Sequence, residues 1–278
     1  MTCVVSMSND LSVAILARTT LNSVSLIITT YNRADALDLV LRTVALQSRI
    51  PNEIIIADDG SLDATKQVID RWKARLSIKH IWLPDQGFRA ARSRNLAVLK
   101  SSCNYIVMVD GDCLLPESFV ENHLKLAAQR RLVAGGRYLY SEELTKYVLS
   151  VDGDLDKSIF THLKFLSLRL SWLRNIISLD WKHVRTCNIA VCRSEILAVN
   201  GFDEAYVGWG REDSDLIVRL MRNSVRLMTG RLYTCVGHLY HKEGFGDASK
   251  SNELKFGELL KSGSLGQYLP SKSVLEQS

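Results

Sequence analysis

The sequence predicts an α/β fold with a mostly parallel sheet and helices on both faces, on two observations. The first half alternates short apolar runs with amphipathic segments, the pattern of an open parallel sheet. Each apolar run also ends in a polar cluster, where ligands of such sheets bind. Taken in order, residues 25–30 (SLIITT) are a β-branched run suited to a buried parallel strand. Asn32 then opens a helix with Leu37, Val40, Leu41 and Val44 at i, i+3, i+4 and i+7. Residues 53–58 (EIIIAD) form the second strand, DDGSLD a turn and residues 64–76 the second helix. Residues 79–83 are the third strand and 88–100 the third helix. Residues 104–113 are a fourth strand running into an acidic turn. In the second half, residues 132–140 and 188–192 read as strands and 212–223 as a helix with Leu216, Ile217, Leu220 and Met221 inward. The Ser-, Lys- and Gly-rich residues after Ser249 read as a loosely attached tail.

The chain has 278 residues, 46% hydrophobic and 23% charged, enough for one large domain or two fused halves. Its net charge of +5 suits an anionic small substrate. The basic residues are not clustered with aromatics on one stretch, which argues against nucleic-acid binding. Six scattered cysteines without a CxxC pair argue against structural zinc and for reduced thiols in a cytosolic protein. The first residues show no signal peptide, and no run reaches the length of a membrane span. Residues 161–185 are apolar on more than one helical face and carry Lys164, Arg169, Arg174, Lys182 and Arg185. This segment fits a buried helix with basic ends, and it also fits a peripheral contact with an anionic membrane.

Three clusters carry chemistry. Asp110 and Asp112 flank Gly111 after a buried strand. Such a pair holds a divalent cation beside a diphosphate, or simply solvates a strand end. In GFDEAYVGWGREDSDL, the glycines around Trp209 make a pliable loop with one flat side chain, suited to stacking on a sugar ring. Glu212, Asp213 and Asp215 open the following helix. Helix-dipole stabilisation explains one or two of these carboxylates, and a base for an attacking hydroxyl explains a third. Downstream, CVGHLYHKE offers His238 and His241. His238 reads as a metal ligand, and His241 as an ordinary histidine or a phosphate contact.

Together, SLIITTYNR, IIIADDGS, GFRAARSRN and VDGD resemble the bacterial family-2 glycosyltransferases of the GT-A (Rossmann-like) type. GFDEAYVGWGREDSDL is similar to the galactosyltransferase-type module, a pairing seen in chondroitin-synthase-like enzymes. The resemblance implies a nucleotide-sugar-binding half at 23–125 and an acceptor-binding, catalytic half at 126–250, after a leader (1–22) and before a tail (251–278). It implies that Thr30 and Tyr31 line the uridine pocket, that Asp58 accepts a hydrogen bond from uracil and that Arg94 lies near the nucleotide. It places Asp110, Asp112 and His238 on Mn²⁺ or Mg²⁺, Trp209 and Gly210 on sugars, Glu212 on substrate hydroxyls and Asp213 as catalytic base. The implied substrates are a UDP-sugar donor and a glycan or lipid-linked glycan acceptor. The chain departs from the family at Arg211, where Gly is usual. HKEGFGD fits a lid over the donor or a plain flexible loop. The implied activity is inverting transfer of a hexose or N-acetylhexosamine in bacterial lipopolysaccharide or capsule assembly. The alternative is a non-catalytic scaffold of the same fold.

Overall fold

The computed structural model describes residues 21–151, 180–231, 233–242 and 248–262. Among them, β1 (Val24–Thr30), β2 (Glu53–Asp58), β3 (Ile78–Trp82) and β4 (Tyr105–Asp110) pair in parallel in the order β3-β2-β1-β4. The sheet continues through β8 (Asn188–Cys192), β6 (Arg131–Ala134) and β9 (Arg226–Thr229). β8 runs antiparallel to both β4 and β6, and β9 is parallel to β6, so β8 is the one reversed strand of this sheet. A second sheet joins β5 (Cys113–Leu114), β10 (Cys235–His238) and β7 (Gly136–Leu139).

The two-residue period of the strands explains the layering. Leu26, Ile28, Ile54, Ile56, Val107 and Val109 face one layer, with α1 (Ala34–Ala45), α2 (Asp63–Trp72) and α4 (Phe119–Leu126). Ile27, Ile55, Ala57, Ile106 and Met108 face the other, with α3 (Ala90–Lys100), α6 (Arg193–Ala198) and α7 (Glu212–Arg222). Strands buried on both faces need the near-continuous apolar runs seen in the sequence. Helix α5 (Glu142–Ser150) follows β7 and is capped by Ser141, whose side chain accepts from the Leu144 amide at 3.1 Å.

Three expectations are corrected. Met221, expected to face inward on α7, is exposed. Residues 132–140 are two strands, β6 and β7, in different sheets. At Gly135 the backbone passes so close to Asn188 that any side chain would collide with it, and the Gly135 amide donates to the Asn188 carbonyl at 2.9 Å. Residues 248–262 form helix α8 (Ala248–Ser262), not a loose tail. Asn252, Phe256 and Leu259 are buried at i, i+4 and i+7, with Phe256 edge-on to Trp181. Only three positions form this stripe, so composition masked it. Of the segment 161–185, residues 161–179 lie outside the described residues, as do 243–247 of the lid segment, most of the leader and the chain after 262. No helix among the described residues is long and apolar enough to cross a membrane. Cys103, Cys113, Cys187, Cys192 and Cys235 are buried free thiols.

Candidate active site

The carboxyl ends of β1, β2 and β4 converge, as the sheet topology requires. Gly111 follows β4 so closely that its amide donates to the Thr29 carbonyl at 2.7 Å. A side chain at Gly111 would press on Thr30. Thr30 is itself buried, and its hydroxyl has no partner, an unsatisfied group facing this junction.

Antiparallel pairing of β5 with β10 sets Cys113 opposite His238 and brings Asp112 beside the end of β10. The Leu239 amide donates to the Asp112 carbonyl at 2.9 Å. Ligand atoms of Asp112, His238 and His241 all lie within 4.8 Å of one another. The ring Nδ1 of His238 lies 2.9 Å from the Leu239 carbonyl, and that of His241 3.3 Å from the Lys242 carbonyl. Donation from Nδ1 to a carbonyl leaves each Nε2 with its lone pair free. Those Nε2 atoms face the Asp112 carboxylate at 3.6 and 3.5 Å, too far for good hydrogen bonds and suited to a shared ion. Two imidazoles with one carboxylate suit Mn²⁺ better than the harder Mg²⁺. His241, expected to be an ordinary histidine or a phosphate contact, thus groups with Asp112 and His238.

Arg94 organises the other half. It is almost fully buried on α3, and its guanidinium reaches Asp110 at 3.3 Å, Glu212 at 3.3 Å and Asp213 at 3.4 Å. Its Nε donates to the Thr29 hydroxyl at 3.2 Å, and it sits 5.6 Å from the Phe202 ring centre. Burial works against its charge, but the three carboxylates more than restore it and raise its pKa. Asp110 is turned toward Arg94 and its carboxyl is raised, chiefly by burial.

The paired acids on α7 differ. Glu212 is buried, and burial, reinforced by the charge of Asp213, pushes its pKa up to about 7 against the pull of Arg94. Asp213 is more open, with its side chain 17% exposed. It accepts from the Thr186 hydroxyl at 2.6 Å and from the Thr186 amide at 3.0 Å. Thr186, just ahead of β8, carries no sequence signal beyond being a polar residue before a strand. The Glu212 shift has a testable sign. Between pH 4.5 and 7 the folded chain holds a proton that the unfolded chain releases, so stability falls as pH rises. In metal-free protein, the melting temperature of the wild type is expected to fall across this range more steeply than that of Glu212→Gln. Parallel curves for the two proteins would refute the assignment.

Of the expected nucleotide-pocket residues, Thr30 has an unpartnered hydroxyl, whereas Asp58 and Tyr31 have internal partners. Asp58 is buried, accepts from the Ser61 amide at 2.8 Å and lies 2.9 Å from His80 Nε2. Burial alone would raise its pKa, but the His80 and Ser61 hydrogen bonds overcome this and lower it. His80 was not singled out in the sequence, since a lone strand histidine has no motif. Tyr31 is exposed, and its hydroxyl donates to Asp85 at 3.0 Å. Trp209 is half exposed. Gly208 and Gly210, at φ of 78° and 107°, use backbone conformations that favour glycine.

The site thus stands on a mostly parallel α/β sheet, with Asp112, His238 and His241 grouped together and Glu212 and Asp213 opening α7 against Arg94. The model of the glycosyl transferase family 2 matches residues 25–197, more than half of the chain, and the chain belongs to that family. A second model, described as the N-terminal domain of galactosyltransferase, matches residues 174–242. Among curated relatives, validoxylamine A glucosyltransferase of Streptomyces hygroscopicus subsp. limoneus is 29% identical, over 74% of this chain and 49% of the relative. Chondroitin synthase of Escherichia coli is 27% identical, over 73% of this chain and 32% of the relative. The chain thus spans about half or less of the length of these relatives. Among solved structures, S. aureus TarS 1–349 superposes with a TM-score of 0.61 at 15% identity, covering 86% of this chain and 64% of that one. The mannosyltransferase PcManGT of Pyrobaculum calidifontis, in complex with GDP-Man and Mn²⁺, gives 0.59 at 16%, covering 91% and 72%. At these identities the likeness shows the fold, and that fold is GT-A.

Proposed function

We propose that this chain transfers galactose, N-acetylgalactosamine or glucose from a UDP-sugar to a glycan acceptor with inversion, in assembly of a bacterial surface polysaccharide. The observation that carries the reading is the triad of Asp112, His238 and His241 beside Asp110, which feels the charges of Asp112 and His238 and is tied through Arg94 to Glu212 and Asp213. Solved relatives of the fold were captured with UDP-GlcNAc and with GDP-Man and Mn²⁺, which supports a nucleotide-sugar donor and a metal. The work is placed in the cytoplasm, with peripheral membrane contact where the acceptor is lipid-linked.

Asp112, His238 and His241 would hold the cation, with Asp110 turning from Arg94 to join them. A bound cation would supply Lewis-acid neutralisation of the leaving diphosphate. Thr30 and Tyr31 flank the base and ribose, and Asp58 receives the uracil N–H. Trp209 stacks on the sugar, and Gly210 keeps the approach open, since nothing lies within 4 Å of where its side chain would be. Glu212 orients substrate hydroxyls. Asp213, pinned by Thr186, takes the acceptor proton as the hydroxyl attacks the anomeric carbon from the face opposite UDP.

The test is UDP release from a panel of UDP-sugars with Mn²⁺, with and without EDTA, alongside calorimetry of Mn²⁺ with UDP. Release or binding abolished by EDTA is expected. No Mn²⁺-dependent UDP binding and no release from any donor would overturn the reading. Asp112→Ala, His238→Ala and His241→Ala are each expected to weaken Mn²⁺-dependent UDP binding by at least about 10-fold, the lower end seen for residues that support a metal site. Unchanged binding in His241→Ala would remove it from the ligand set.

A further inference from the structure

The loop 207–211 joins Trp209 to the first turn of α7, and its last residue is held in an unfavourable conformation. Arg211 has a φ of 75°, in the left-handed region that disfavours any residue but glycine. A glycine would occupy this position without strain. What the arginine supplies is contact with α8. Its Nε donates to Glu253 at 2.5 Å, and its guanidinium lies 5.3 Å from the Phe256 ring centre. One residue before Glu253, the buried Asn252 donates from its side-chain amide to the carbonyls of Val207 at 3.2 Å and Trp209 at 3.4 Å, on both sides of Gly208. One turn further on, Lys255 pairs with Asp203 at 2.8 Å and lies 5.2 Å from the Tyr206 ring centre. Helix α8 therefore grips residues 203–211 at three successive points. Glycines at 208 and 210 would otherwise leave this loop many conformations.

We infer that α8 is a clamp that fixes the Trp209 loop against the catalytic turn, with Asn252 and Arg211 as its positioning residues. The Arg211–Glu253 contact lies next to Glu212, so it also sets where α7 begins. The inference rests on the reading of Trp209 and Asp213 as sugar-facing groups, and it explains the departure from glycine at 211. Loosening the clamp is expected to leave the metal triad and the strand-end pocket unchanged, because Asp112 lies in the turn between β4 and β5, His238 ends β10 and His241 follows it, and none of the clamp contacts above reaches them.

The experiment measures amide hydrogen exchange over 207–211 in the full chain, together with calorimetry of Mn²⁺ and UDP and the rate of UDP release from the donor found above. Asn252→Ala and Arg211→Gly are expected to speed exchange over 207–211 by at least 10-fold. UDP release should fall at least 10-fold while Mn²⁺·UDP affinity stays within 2-fold. Glu253 is exposed, so Glu253→Arg is expected to fold even where Asn252→Ala does not. It should loosen the loop, and combining it with Arg211→Glu should restore slow exchange. Unchanged exchange in both Arg211→Gly and Glu253→Arg overturns the clamp, as does failure of the charge swap to restore it. Faster exchange without any Mn²⁺-dependent UDP binding in the wild type supports the clamp and removes only the transferase reading.

Discussion

Asp213→Asn is expected to lower glycosyl transfer by about 10²–10⁴-fold, the usual contribution of a positioned general base, while Mn²⁺-dependent UDP binding stays near wild type. The amide nearly matches the carboxylate in shape, and its oxygen can still accept from the Thr186 hydroxyl that now holds Asp213 at 2.6 Å. It cannot take a proton. Asp213 is not among the three residues grouped for a cation, Asp112, His238 and His241, so its loss is expected to remove no cation ligand. The decisive measurement is the split between the two readouts. Near-normal turnover would show that Asp213 is not the base, and Glu212, with its pKa near 7, would be tested next. Loss of UDP binding would show that Asp213 holds the donor.

Arg94→Met is expected to be the most destabilising single change in the site, by about 3–5 kcal/mol, as for other buried ion pairs that lose one partner. The arginine is the shared cation of Asp110, Glu212 and Asp213, and removing it leaves three mutually repelling carboxylates, of which Glu212 is buried and the other two are partly exposed. The penalty has a pH signature. With Arg94 gone, the folded state binds protons more tightly than the unfolded chain, so the deficit is smallest at low pH and grows as pH rises past about 7. Denaturant unfolding at pH 5.5 and pH 8 measures this. A deficit equal at both values would mean that Arg94 acts by packing on Phe202 alone. Arg94→Lys is expected to recover only part, because one ammonium cannot reproduce the planar fork that reaches three acids.

Much of the first half was readable from the sequence because its signals are local. The runs 25–30, 53–58 and 104–110 are apolar on both faces, and a strand buried on both faces has no other composition open to it. Clusters at the ends of those runs had to meet, since parallel strands place their carboxyl ends on one edge of a sheet. The second half was less readable because its decisive contacts join distant segments. Gly135 stands where one apparent strand passes into two sheets, and there Asn188 occupies the space a side chain would need. The triad of Asp112 with His241 depends on β5 pairing with β10, more than 120 positions along the chain.

The sequence by itself determined the α/β layering, the edge of the sheet where chemistry would gather, and the acids and histidines available there. These follow from periodicity and from residue type. The tertiary structure alone decided which of those groups face one another. It gave His241 to Asp112, Thr186 to Asp213 and His80 to Asp58, and it set Arg94 among three carboxylates. It also turned a Ser- and Lys-rich tail into the helix that holds the Trp209 loop. Those choices rest on packing and charge pairing between segments far apart in the chain, and where the group is buried, as at Asp58 and Arg94, an unpaired charge is costly enough to dictate its partner.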